Sequence, residues 1–392
     1  MSSTSEYAAS RRASSTGKRH LPFRIFFLFA AGDAVFLGGL WLYSAYGSSL
    51  PATLSAGLWH RSYVLHGAPV LVLAGFLLTA LPRWTMQEAV APTATTVLLL
   101  LWLFARGASF IAPDAGLVLA SFFIVSLTWI AARRIWATGD IRNRKIVVLL
   151  LALFAASVLS AFPSYQPAGS RLTIAALVGF IIVIGGRVVP ALTSSFADHA
   201  GQAMRLESRP SLERLAAATA ATALALWILV PDLPLLGWLC LTAGIAQAAR
   251  LTQWRGWHFA GTSAILTLHL GYLWLPVGFL LLGADMLLPA MLQQSAAIHA
   301  WTIGAFGTLA IGIMSSMIRK HSGQAFSPSL PASVSLAAVT LAALARLAAE
   351  VWPAGFVPMV ATAAIFWMLA FALFLAAFGR RLLLGPRSAM SA

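Results

Sequence analysis

Twelve long apolar runs, separated by short polar breaks, constrain this 392-residue chain more than any other feature. They cover 24–46, 58–81, 94–111, 115–135, 146–162, 171–190, 212–230, 233–250, 258–283, 287–318, 332–351 and 355–383. Most reach the roughly 20 residues that a helix needs to cross a hydrocarbon layer. Inside that layer the backbone must satisfy its own hydrogen bonds, so each run is predicted to be a helix. Composition agrees: 9% of the residues are charged, against about a quarter in a soluble domain. The expected fold is an all-α integral membrane protein of about twelve transmembrane helices. A single polytopic domain is expected over 21–385, between a basic, Ser-rich tail over 1–20 and a short tail over 386–392.

Charge placement sets the expected orientation. With the N-terminus in the cytoplasm, the inner breaks hold Arg83, then Arg133, Arg134, Arg142, Arg144 and Lys145, then Arg205, Arg209 and Arg214. Arg250, Arg255, Arg319, Lys320, Arg380, Arg381 and Arg387 follow on the same side. The outer side holds Arg61, Arg106, Arg171 and Arg346, with Asp114, Asp232, Asp285 and Glu350. This is the positive-inside pattern, and a miscounted helix would invert it from the error onward. Both termini are therefore expected in the cytoplasm. The net charge of +15 lies in these breaks, and no nucleic-acid motif accompanies it, so the expected partner is the lipid bilayer and not a nucleic acid. Arg11-Arg12 precedes an apolar stretch too long for a signal peptide and is read as the flank of the first helix.

The single cysteine, Cys240, excludes an intrachain disulfide, a Cys-rich zinc site and covalent haem attachment through C-x-x-C-H. Walker, dinucleotide-fingerprint and H-E-x-x-H motifs are absent, as is a defensible Ser/His/Asp set. What remains are polar groups inside apolar runs, which are costly there and tend to be functional. They are Asp33, His60, His66, Arg187, His269 and His299, with His258 and His321 at the inner surface. Counted from the run ends, His269 and His299 fall near the midplane on consecutive helices. Two imidazoles at one depth suit a haem iron or a copper ion; alternatively, each bonds a neighbouring helix. His60 and His66 are six apart, some 240° around a continuous helix, so only one can face a small site unless the helix breaks. Arg187 is read either as snorkelling to the interface or as holding an acidic group such as a haem propionate. Asp33 is a candidate partner for Arg187 or a step in a proton path.

Several spaced motifs give the chain a family resemblance. Pro22-Phe23-Arg24 and Phe26-Phe27-Leu28 open it, followed by Trp59-His60, Ala74-Gly75-Phe76-Leu77-Leu78-Thr79-Ala80, Pro82 and Trp84-Thr85. Gly186-Arg187-Val188-Val189-Pro190 and His269-Leu270-Gly271-Tyr272 come next. The most specific runs from His299-Ala300 through Thr302, Gly304-Ala305, Gly307-Thr308 and Met314 to His321-Ser322-Gly323. In these the chain resembles the NnrS proteins, from Pro22 to about Gln324 and more loosely to the end. The resemblance implies a bacterial inner-membrane protein of the nitric oxide response, with non-covalent, b-type haem and with copper. It implies a ligand set drawn from His299, His269, His60, His66 and His321, Arg187 as a cofactor contact, and nitric oxide as a ligand. The family's usual H-x-H-E is not complete here, because Ser62 and Tyr63 stand at its second histidine and glutamate. That leaves a copper set two donors short.

Two other classes share the helix count. A secondary transporter has intramembrane Arg and Asp lining a substrate path, and an assembly partner of a respiratory enzyme holds no metal of its own. A Soret band in the purified protein separates haem from both. The topology has its own test. Reporter fusions after residues 140 and 202 should read as cytoplasmic and a fusion after 113 as periplasmic. A periplasmic signal from the segment 133–145, which holds five basic residues, would break the twelve-helix count.

Overall fold

The computed structural model describes residues 21–46, 56–199, 201, 209–259, 261–289, 293–323 and 330–385. The expected tails over 1–20 and 386–392 lie outside the described residues. Twelve helices long and apolar enough to cross a membrane are present among the described residues. We number them α1 (Phe23–Ser44), α2 (Trp59–Trp84), α3 (Pro92–Ile111), α4 (Pro113–Ala137), α5 (Ile141–Ser160) and α6 (Pro163–His199). The second six are α7 (Pro210–Leu229), α8 (Leu235–Thr252), α9 (Ser263–Leu287), α10 (Gln294–His321), α11 (Leu330–Val351) and α12 (Pro353–Leu384). Proline begins α3, α4, α7 and α12, where its missing N–H costs nothing.

Consecutive spans pack side by side, α2 and α3 excepted, and α12 closes against α1. The Arg24 guanidinium, at the start of α1, donates to the carbonyls of Leu382 and Leu383 at the end of α12 at 3.0 and 2.8 Å. The first and last spans therefore meet at one end of the bundle, called here the terminal end. The opposite end is called the far end.

Enclosure is uneven. In the most apolar stretch of each span, 83% of α2 is buried, 67% of α6 and of α10, and 56% of α9, against 28% of α3 and of α7. The four enclosed spans carry His60, His66, Arg187, His269 and His299. Close approach makes this possible. On α9, a Cβ at Gly278 would fall within the Trp301 indole of α10, whose Nε1–H donates to the Leu275 carbonyl at 3.1 Å beside Pro276.

Three of the four enclosed spans depart from regular α geometry, whereas α9 is one α-helix over Ser263–Leu287. α2 breaks at His66-Gly67, between the helical stretches Ala56–Leu65 and Ala68–Trp84. α6 contains a π segment at Ile181–Gly185, and α10 one at Ala300–Gly307. Such widened turns redirect side chains and release carbonyls, and they concentrate at functional sites.

The α2 break is held by an ion pair. Arg106 of α3 grips Asp33 of α1 through Nε at 2.8 Å and a second nitrogen at 2.5 Å. Its third nitrogen donates to the Tyr63 carbonyl at 2.9 Å. A Cβ at Gly67 would overlap both Arg106 and Asp33, so only glycine admits the pair this close to the backbone. Asp33 pairs with Arg106, then, and not with Arg187 as its position in sequence had suggested. Both side chains are buried, 3% exposed for Asp33 and 12% for Arg106.

Removing one partner of such a pair leaves a charge in the bilayer core without an answer. Arg106→Leu should lower stability by about 3–5 kcal/mol, while the double variant Asp33→Leu/Arg106→Leu should recover most of that loss. Thermal unfolding of the single and double variants in detergent measures both effects. A double variant no more stable than Arg106→Leu would show that the pair does not govern the break.

Candidate metal centre

His60 and His299 meet at the far end. α2 and α10 bring their rings to 6.2 Å between centroids, with planes 20° from parallel. Trp41 of α1 stacks on His60, at 4.1 Å and 29°. The π segment of α10 starts at the residue after His299, so the ring projects from the seam between two helix geometries.

The hydrogen bonds of His299 assign its tautomer. Nδ1 lies 2.8 Å from the Ser295 carbonyl, and a carbonyl only accepts, so Nδ1 carries the proton. Nε2 is left with its lone pair, the arrangement of a metal-binding imidazole whose second nitrogen is fixed by a backbone acceptor. The His60 Nδ1 is buried and meets no hydrogen-bond partner among the described residues. Burying an idle polar nitrogen is costly, and a bound metal ion would remove that cost.

Behind His299 lies a charged support. Arg346 of α11 donates to the Ser295 hydroxyl at 2.7 Å and forms an ion pair with Glu350 one turn along its own helix. The Glu350 side chain is 3% exposed. This places a carboxylate and a guanidinium within one residue of the histidine that they steady. Both were legible only as outer-side charges in the sequence. The available signal was that Arg346 lies inside the run 332–351 and Glu350 at its end, where uncompensated charges are rare.

The midplane pairing of His269 with His299 does not form. α10 begins at Gln294 and not at 287, so His299 lies five residues from the far end. His269 lies six residues from the terminal end of α9. At 1.5 Å per residue the two are on the order of 20 Å apart along the bundle. His269 has its own setting. The Thr193 hydroxyl donates to the Val189 carbonyl, so at 3.0 Å it must accept from the His269 Nε2–H. The ring stands edge-on to Trp254 and lies over Gly256, where a Cβ would overlap it.

The remaining candidates separate in the same way. His66 sits at the α2 break, where it lines a small cavity with Tyr63, Trp102, Arg106 and Ser109. The break removes the constraint that would keep His60 and His66 on different faces of one helix, yet the ring that meets His299 is that of His60. His321 is exposed at the terminal end, with its ring 5.1 Å from Phe23 and Nδ1 bonded to the Met317 carbonyl. Arg187 donates to the Asn143 side chain at 2.6 Å and to the Arg142 carbonyl at 2.9 Å. It ties α6 to the terminal-end turn before α5, so it does not share a site with His60 and His299. Glycines 304, 307 and 312 serve close helix packing: a Cβ on each would meet Trp274, Trp367 and Leu268 respectively.

A second buried network has no counterpart in the sequence-based expectations. Arg250 of α8 binds Glu213 of α7 at 2.8 Å, the Tyr272 hydroxyl of α9 at 2.7 Å and the Ile182 carbonyl of the α6 π segment at 3.2 Å. Tyr272 passes the chain on to Gln247 at 3.0 Å. A Cβ at Gly186 would overlap the Arg250 guanidinium, which gives the Gly185-Gly186 pair a packing reason.

Among the described residues, no group of three or more His, Cys, Asp or Glu side chains could hold a metal ion. The far-end candidate thus offers two imidazoles and no third such side chain among the described residues. No curated protein matches the chain. A family model described as NnrS protein matches residues 19–387. That is nearly the whole chain, so it belongs to the NnrS family, and its membership points to a role in the nitric oxide response.

Proposed function

We propose that the chain is a multi-pass metalloprotein of the bacterial inner membrane, acting in the response to nitric oxide, with His60 and His299 as metal ligands. The observation that carries this reading is the pair of near-parallel imidazoles 6.2 Å apart, one with its lone pair presented by a backbone-held tautomer and the other with a buried nitrogen lacking a partner. Two imidazoles bound to one ion in a near-linear arrangement, through bonds of about 2.0–2.1 Å, have ring centres about 6 Å apart. Neutral imidazole suits both copper and haem iron.

The two candidate groups differ in what they ask of the surroundings. A copper ion asks only for nitrogen donors from the two rings. A haem ligated by the same pair also needs a slot for its macrocycle, and the glycine-lined side of α10 is filled by Trp274 and Trp367, so haem requires those indoles to give way. Arg346 is the cation nearest this pair in the hydrogen-bond chain through Ser295, and it takes over the role of anchoring an acidic cofactor group that the sequence suggested for Arg187.

A bound metal supplies a coordination position for nitric oxide, a small apolar molecule that partitions into a bilayer. The protein supplies the rest. Ser295 fixes the His299 tautomer, Arg346 and Glu350 hold Ser295, and Trp41 covers His60. Both rings are half-buried among the enclosing spans.

Metal analysis and the optical spectrum of purified variants test this assignment. His299→Ala and His60→Ala should each cut metal content at least tenfold while the protein still inserts, because insertion depends on the apolar spans. His269→Ala should leave metal content unchanged, since its ring bonds Thr193 at the other end. A Soret band lost in His299→Ala identifies the metal as haem iron, and copper lost without a Soret change identifies copper. Full metal content in inserted His60→Ala and His299→Ala would overturn the assignment. A further expectation concerns Arg346→Leu, which should weaken metal retention about 10–100-fold, as loss of a supporting group does elsewhere, whereas Arg187→Leu should not.

A further inference from the structure

A cleft opens on the outside of the bundle at the terminal end, where the α2–α3 connection meets the end of α4. Val90, Ala94, Trp129 and Ile130 form its apolar lining, and Arg133 and Arg134 stand at its rim. It holds about 890 Å3 of empty space, its open mouth included. We infer that this cleft binds one anionic phospholipid, its phosphate on the Arg133–Arg134 pair and an acyl chain along α4.

The two arginines differ in how they are committed. Arg134 donates to the Glu88 carbonyl at 2.7 Å, and its own carbonyl accepts from Gln87 at 3.3 Å. These bonds hold the α2–α3 connection as the cleft wall. Arg133 is exposed, its guanidinium 5.5 Å from the Trp129 ring centre. Glu88 is the acidic residue beside them and its side chain is exposed, so the rim keeps a net positive charge. A basic rim over an apolar wall is the complement of a phospholipid phosphate with its chains attached.

The exposed face of α4 continues the match. Phe122, Trp129, Arg133 and Trp136 are spaced by seven, four and three residues, so they line one face of the helix. Phe122, Trp129 and Trp136 are 53%, 61% and 52% exposed. Arg133 thus sits between two tryptophans, the residue that marks the headgroup level of a membrane. Phe122 lies seven residues nearer the far end than Trp129, about 10 Å along the helix, where an acyl chain would run. A soluble anion would have no use for that stripe. Nothing in this site touches His60 or His299, so its fate is independent of the metal assignment.

Native mass spectrometry of the purified full chain, offered phosphatidylglycerol or phosphatidylcholine, tests the proposal. The expected result is one retained phosphatidylglycerol per chain and little phosphatidylcholine. Arg133→Gln should reduce that retention about fivefold, the factor that one basic residue contributes at an anionic surface. Ala94→Trp, which fills the cleft without changing charge, should reduce it as well. Arg380→Gln, an exposed arginine on α12 outside the cleft, should not. Equal retention of the two lipids overturns the proposal, and so does wild-type retention in Arg133→Gln. A shift in the monomer–dimer balance of Arg133→Gln with lipid retention unchanged would also overturn it and assign the face to a second copy. If Ala94→Trp does not insert, Arg133→Gln decides alone.

Discussion

Hydrocarbon offers nothing to a charge or to an idle backbone carbonyl, and the interior of this protein is arranged around that fact. Two arginines that lie within spans, Arg106 and Arg250, are each answered from other spans. Arg106 is met by Asp33 and a carbonyl freed at the α2 break, and Arg250 by Glu213, Tyr272 and a carbonyl of the α6 π segment. The irregular backbone and the buried cations need each other. A broken or widened turn without a donor leaves an orphan acceptor, and a buried guanidinium without acceptors leaves an unsolvated charge.

These cross-links explain how a bundle of apolar helices acquires defined geometry. Lipid tails are as apolar as leucine, so burial alone does little to favour one helix arrangement over another. Polar locks and glycine-admitted contacts do that here. Gly67 admits the Asp33–Arg106 pair, Gly186 admits Arg250, and Gly278 admits Trp301. Gly67, which admits the first of these locks, lies in the same span as His60, about two turns along, and Arg106 holds the carbonyl of Tyr63 three residues from His60. The orientation of one candidate ligand is thereby tied to the spans α1 and α3 that do not themselves carry a ligand.

The candidate metal site follows the same logic from the other direction. His299 is held by its own helix through Ser295, and Ser295 by Arg346 of a neighbouring span. The buried Arg346–Glu350 pair gives that support a fixed geometry. Where H-x-H-E would have clustered donors on one turn, this chain has Ser62 and Tyr63, and its second imidazole comes from a different helix. A site assembled across helices depends on their packing far more than one written into a single turn.

Hydropathy by itself determined the class and the twelve spans, and an even count brings the start of the first span and the end of the last to one end. Each of these depends on local composition and on a count, and neither needs to know which helix lies beside which. The same sequence placed His299 at the midplane with His269, because the apolar residues after Leu287 read as helix. In the structure α9 ends at Leu287 and α10 starts at Gln294, a boundary that hydropathy cannot see when the connecting residues are themselves apolar. The pairing of His60 with His299, of Asp33 with Arg106 and of Arg187 with Asn143 was decided only by tertiary structure. Each joins residues more than forty positions apart. Which of several isolated polar groups meet is settled by helix rotation, by breaks at Gly67 and the π segments, and by the close approach that particular glycines permit.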